Sequence, residues 1–81
     1  MLIDVRSRTD FMNYHIKDSI NIPYEFFFDE FKTSEYNLNT EINLICKNGK
    51  KSEAIKNILE EKGFKNVKNL GSVFNYSGGK R

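Results

Sequence analysis

The sequence predicts an α/β fold, a central and mostly parallel sheet with helices on both faces. Three observations carry this. Short apolar segments with β-branched residues alternate along the chain with segments of helical spacing. The segment Ile42-Asn43-Leu44-Ile45 ends as a fully buried strand and runs within a few residues into the clearest helix of the chain. The 81 residues contain neither an internal repeat nor a low-complexity linker, so residues 1–81 are expected to form one small domain.

Leu2-Ile3-Asp4-Val5 is the first expected strand. Ser7 is placed to cap a short helix, with Asp10 returning the bond in a capping box and Phe11, Met12 and Tyr14 on the helix itself. Ile20-Asn21-Ile22 is a brief second strand stopped by Pro23, which suits the start of a following helix. That helix would carry Phe26, Phe27, Phe28 and Phe31. These aromatics are expected in the core, because seven phenylalanines in so short a chain must be buried somewhere. Asn37–Thr40 is a polar turn. After the strand Ile42–Ile45 a helix is expected from Ser52 to about Lys62, with Ala54, Ile55, Ile58 and Leu59 inward and Gly63 at its C′ position. Asn66–Leu70 is the last strand, and the tail 77–81 is expected to be loose.

Composition excludes several classes. Hydrophobic residues at 38% and charged residues at 30% fit a folded globular chain. A net charge of +2 does not suggest a nucleic-acid partner. No apolar run approaches the roughly 18 residues of a membrane span, and Met1-Leu2-Ile3-Asp4 does not open like a signal peptide. No membrane association and a cytoplasmic location are therefore expected. One cysteine and one histidine make neither an internal disulfide nor a recognisable zinc site, so no metal or cofactor is expected.

Cys46 is then either a small buried residue or a working thiol. It stands at the carboxyl end of a strand, where ligands bind in parallel sheets. The loop Cys46-Lys47-Asn48-Gly49-Lys50-Lys51-Ser52 follows. Backbone amides of a tight loop at a helix N-terminus are free to hold an anion. Gly49 permits a positive φ. Lys47, Lys50 and Lys51 bring cations with no acid among them. Such surroundings favour a thiolate, the form that attacks sulfur. Three cations near a helix start oppose the macrodipole, at a cost of about 0.3 kcal/mol or more each, so an anionic ligand explains them better than stability does.

These segments resemble a known family. Leu2-Ile3-Asp4-Val5-Arg6, then Phe11 with Tyr14-His15-Ile16, then Ile20-Asn21-Ile22-Pro23, is similar to the opening of a rhodanese homology domain. Residues 46–52 are similar to that family's active-site loop, and Gly63-Phe64, Asn66-Val67 and Asn69-Leu70-Gly71 to its ending. The resemblance implies a rhodanese-like fold and a sulfurtransferase of the thiosulfate type. Cys46 would take the outer sulfur of a small anionic donor as a persulfide and pass it to a thiol, cyanide or a protein. Amides from Lys47 to Ser52 would hold the persulfide, with Lys51 as the loop-closing basic residue. Asp4 and Arg6 match a motif read as structural, and His15 is read as a packed residue.

The chain departs from the family pattern at Tyr14, where glycine is common, at Ser72-Val73 for Gly-Gly, and at Tyr76 for tryptophan. Family members usually carry a further strand and helix before the Asp-Val-Arg motif. The sheet is thus expected to be short at the N-terminus, with an edge that a homodimer would cover. Two other functions fit the loop less well. A persulfide carrier in sulfur trafficking would use the same cysteine without rapid turnover. A cysteine phosphatase would want arginine six positions after the cysteine, where this chain has Ser52.

Overall fold

The computed structural model describes residues 1–76; the tail expected to be loose, 77–81, lies outside the described residues. Strands β1 (Leu2–Asp4), β2 (Ile20–Asn21), β3 (Ile42–Cys46) and β4 (Val67–Ser72) form one sheet in the order β2-β1-β3-β4. All neighbouring pairs are parallel, with Ile3 opposite both Ile20 and Leu44, and Ile42 opposite Val67. The α/β reading of the sequence is therefore correct. The order places β3 inside the sheet, and Cys46 is its last residue.

The two-residue period of the strands sorts the core. Ile3, Val5, Ile42, Leu44 and Cys46 point to one face, where they meet Phe27, Phe31, Ile55, Leu59 and Phe64. Ile45 points to the other face and packs with Ile16 and Val73, flanked by Leu2, Tyr14 and Tyr76. Helices α2 (Phe27–Glu30) and α3 (Lys50–Glu61) cover the first face. Helix α1 (Arg8–Asn13) buries none of its own residues, and the turn after it delivers Tyr14 and Ile16 to the second.

Several elements differ from the sequence expectation. Ser7 does cap α1, accepting the Asp10 amide at 3.2 Å, but among the described residues Asp10 makes no return bond. The helix expected after Pro23 is a 3-10 turn, Tyr24–Phe26, followed by the single turn of α2. Successive helical residues point about 100° apart, so four phenylalanines within six positions cannot share one face. Phe27 and Phe31, four apart, are buried; Phe28 is half-buried and Phe26 is 53% exposed. Helix α3 begins at Lys50, two residues early, which makes Ser52 a buried first-turn residue. Its inner face is Ser52, Ile55 and Leu59, while Ile58 lies at the edge, 38% exposed. It ends in a Schellman motif: Phe64 N–H donates to the Leu59 carbonyl, Gly63 N–H to that of Glu60, and Phe64 packs into the core. Strand β4 runs two residues past Leu70, so that Ser72 comes opposite Cys46 across a register shift.

Candidate active site

Cys46 is 2% exposed, yet its sulfur lies at the floor of a hollow of about 310 Å³. Lys47, Lys50 and Lys51 line it on one side, and Arg6, Ser7 and Asp10 on the other. The chain leaves β3, turns through Lys47 and Asn48, and reaches Gly49 at φ 86°. An L side chain rarely adopts that conformation, and a Cβ on Gly49 would sit 3.4 Å from the Gly71 Cα. The turn directs the Gly49 N–H to Cys46 Sγ at 2.9 Å. One helical turn later, Ser52 Oγ lies 3.2 Å from the same sulfur.

Burial pushes the Cys46 thiol up, but hydrogen bonds outweigh it: the Ser52 hydroxyl first, then the amides of Ser52, Asn48 and Gly49. The net result is a pKa below the ordinary thiol value. The sequence reading credited lysine charge as well. The lowering comes instead from donors at hydrogen-bond range, and none of the lysines is among its causes. Nor do all the loop amides serve the sulfur, because the Lys50 N–H donates to Asn48 Oδ1 at 3.0 Å.

The lysines form an exposed rim. The loop itself holds no acid, but one of its lysines meets an acid from outside it. Lys51 Nζ lies 3.4 Å from Glu25 Oε2 and 5.6 Å from the centre of the Tyr24 ring. The Glu25 carboxyl is in turn held below its usual range by its own backbone and by Lys51.

Arg6 lines the opposite wall, and Asp4 holds it there from behind. Asp4 is fully buried, and Arg6 nearly so. Asp4 accepts from the Arg6 amide at 2.9 Å, from Nε at 3.1 Å and from Nη2 at 2.8 Å, and Nη2 also donates to the Tyr14 carbonyl. Asn21 Nδ2 closes the group on the carbonyls of Asp4 and Arg6, each at 2.9 Å. His15 lies apart from the hollow. Its Nδ1 donates to the Phe11 carbonyl at 2.7 Å, and its ring stacks on Phe11.

One organising residue escaped the sequence reading. Asn69, on β4, accepts from Ser52 Oγ at 2.6 Å and from the Gly71 amide at 2.9 Å, and donates to the Gly49 carbonyl at 3.0 Å and Glu53 Oε1 at 2.9 Å. It fastens the cysteine loop to the sheet. The strand pattern gives no hint of this, since a polar residue on a short strand reads as an outward one; the available signal is its place in the Asn69-Leu70-Gly71 segment that carries part of the resemblance.

Three comparisons bear on this geometry. The Rhodanese-like domain family matches residues 1–79. The chain belongs to that family. The thiosulfate sulfurtransferase PspE of Escherichia coli is 31% identical to this rhodanese-like domain over 71 residues, covering 88% of the chain and 68% of PspE. A proposed sulfur carrier of Bacillus subtilis, YrkF, is 33% identical over 69 residues; the match covers 85% of the chain but only 36% of YrkF. Among solved structures, an E. coli rhodanese with bound anions superposes with a TM-score of 0.87 at 29% identity, covering 99% of this chain and 94% of that one. No helix among the described residues is long and apolar enough to cross a membrane.

Proposed function

We propose that this rhodanese-like domain is a sulfurtransferase that carries sulfane sulfur as a persulfide on Cys46. The observation that supports this best is a buried sulfur that accepts the Gly49 N–H at 2.9 Å and has the Ser52 hydroxyl 3.2 Å away, at the floor of a lysine-rimmed hollow. The Cys46 thiolate attacks the outer sulfur of thiosulfate or a similar small anion. A bond forms from Sγ to that sulfur, the donor S–S bond breaks, and sulfite leaves with the electron pair. The lysine rim draws the anionic donor in, and the inward amides spread the negative charge of the persulfide. A thiol, cyanide or a protein then takes the outer sulfur. PspE, whose name records the thiosulfate reaction, and the anions bound in the E. coli rhodanese structure support this assignment of donor class. A cytoplasmic setting, where thiols stay reduced, suits a lone working cysteine.

Intact mass after incubation with thiosulfate tests the proposal. The expected result is a gain of one sulfur atom, removed by reductant and absent in Cys46→Ser. No adduct from thiosulfate or any other persulfide donor overturns it. The likeness to YrkF favours a second reading, a carrier that loads sulfur and waits for a protein partner. Steady turnover of thiosulfate with cyanide supports the enzyme; one loading event without turnover supports the carrier.

A further inference from the structure

Beside the cysteine hollow lies a second, of about 250 Å³, lined by Arg6, Asp10, Asn13, Tyr14, Lys47 and Phe74. The two share Arg6, Asp10 and Lys47, so a molecule in one abuts a molecule in the other. Arg6 is buried and spends Nε and Nη2 on Asp4 and Tyr14. Its Nη1 has no partner among the described residues, yet it is not sealed from solvent: no buried side-chain nitrogen or oxygen among those residues lacks a hydrogen bond. A guanidinium nitrogen with open donors therefore stands at the seam of the two hollows. Lys47 adds a cation, Asp10 an anion and Asn13 an amide. The outer wall is aromatic, with the Tyr14 and Phe74 rings stacked at 6.0 Å and 5° and Phe74 56% exposed.

We infer that this second hollow is the sulfur-acceptor subsite and that it takes a small zwitterionic thiol of the cysteine class. Arg6 Nη1 and Lys47 receive the carboxylate, Asp10 receives the ammonium, and the Tyr14–Phe74 pair closes the outer side, so that the thiol faces the seam and Cys46. The thiol sulfur bonds to the outer sulfur of the Cys46 persulfide anion. The bond from Cys46 Sγ breaks with its electron pair returning to Sγ, and the thiol proton passes to the transferred sulfur. The acceptor departs as its own persulfide, and Cys46 is again a thiolate held by Gly49 and Ser52. The inference rests on the sulfurtransferase reading above.

The test separates loading from discharge. Protein loaded with thiosulfate and freed of donor is mixed with cysteine, 3-mercaptopropionate, cysteamine or 2-mercaptoethanol, and persulfide loss is followed by mass, each rate being normalised to that thiol's reaction with a small-molecule persulfide. Saturation is expected for cysteine at about tenfold lower concentration than for 2-mercaptoethanol, with the two singly charged thiols between them. Phe74→Ala, an exposed truncation whose melting temperature is checked, should raise the half-saturation for cysteine about fivefold and leave loading by thiosulfate unchanged. Equal saturation by all four thiols, or no effect of Phe74→Ala, overturns the subsite while sulfur loading stands. Binding of S-methylcysteine, read from the amide resonances of Asn13 and Phe74, gives a second arm. Failure to load sulfur despite that binding overturns the transfer reading, and with it the acceptor role, and leaves a plain amino-acid site.

Discussion

Ser52 sets the chemistry of Cys46 more than any lysine does. Its hydroxyl is the leading cause that lowers the thiol pKa. Ser52→Ala should therefore move the pH profile of Cys46 alkylation upward, toward that of an ordinary thiol, whereas Lys50→Ala should leave its midpoint in place. An equal shift in both variants would restore the lysines to the role the loop sequence suggested. The sign for stability follows from the same shift. The folded-state pKa is depressed, so the contribution of Cys46 is full above the unfolded thiol pKa and is lost as pH falls through the folded one. Asn69→Ala removes four hydrogen bonds around Ser52 and Gly49, two of them given by Nδ2. A loss of about 1–3 kcal/mol in denaturant unfolding is expected, together with slower sulfur loading. The cysteine and its loop were legible from residue types alone. Asn69 and Glu25 were not, because each acts across a sequence separation that only the fold closes, 17 residues from Asn69 to Ser52 and 26 from Glu25 to Lys51.

Among the elements, β3 and α3 were the most legible and the helix after Pro23 the least. A buried strand running into an amphipathic helix leaves few alternatives, and the Gly63 stop was visible as a C′ glycine. Its start was misplaced by two residues because Lys50 and Lys51 look like loop, and the left-handed Gly49 begins the helix without a side-chain cap. That conformation gives a test. Gly49→Ala must hold an L residue at φ 86° with its Cβ 3.4 Å from Gly71, at a cost of about 1–2 kcal/mol. The Gly49 amide, a direct donor to Sγ, would shift with it. Loading should slow by more than the loss of stability alone accounts for, measured well below the unfolding midpoint. The Lys51–Glu25 pair is exposed on both sides, so Glu25→Gln should change thermal stability hardly at all.

For the whole molecule, the core is small and divided by the sheet into two unequal clusters. Little of it is redundant. Leu59 is fully buried in the larger cluster, and Leu59→Ala should cost about 2–5 kcal/mol, enough to unfold much of so short a chain at moderate temperature. Unfolding in urea measures it directly. The expected homodimer remains a proposal at this scale. The edge strand β2 pairs only Ile20 and Asn21, and Ile20 is exposed there, so sedimentation should find a dimer that Ile20→Lys breaks. Strand order has another outcome. The Ser52 hydroxyl has a single proton and three neighbours for it, Cys46 Sγ, the Gly49 carbonyl and Asn69 Oδ1. When Cys46 ionises, the proton swings to sulfur, and Asn69 Oδ1 is left to the Gly71 amide alone. The charge state of a sulfur at the centre of the sheet is thus written onto an amide of its outer strand. The Gly71 resonance becomes a built-in indicator that distinguishes thiol from thiolate without any label on the cysteine itself.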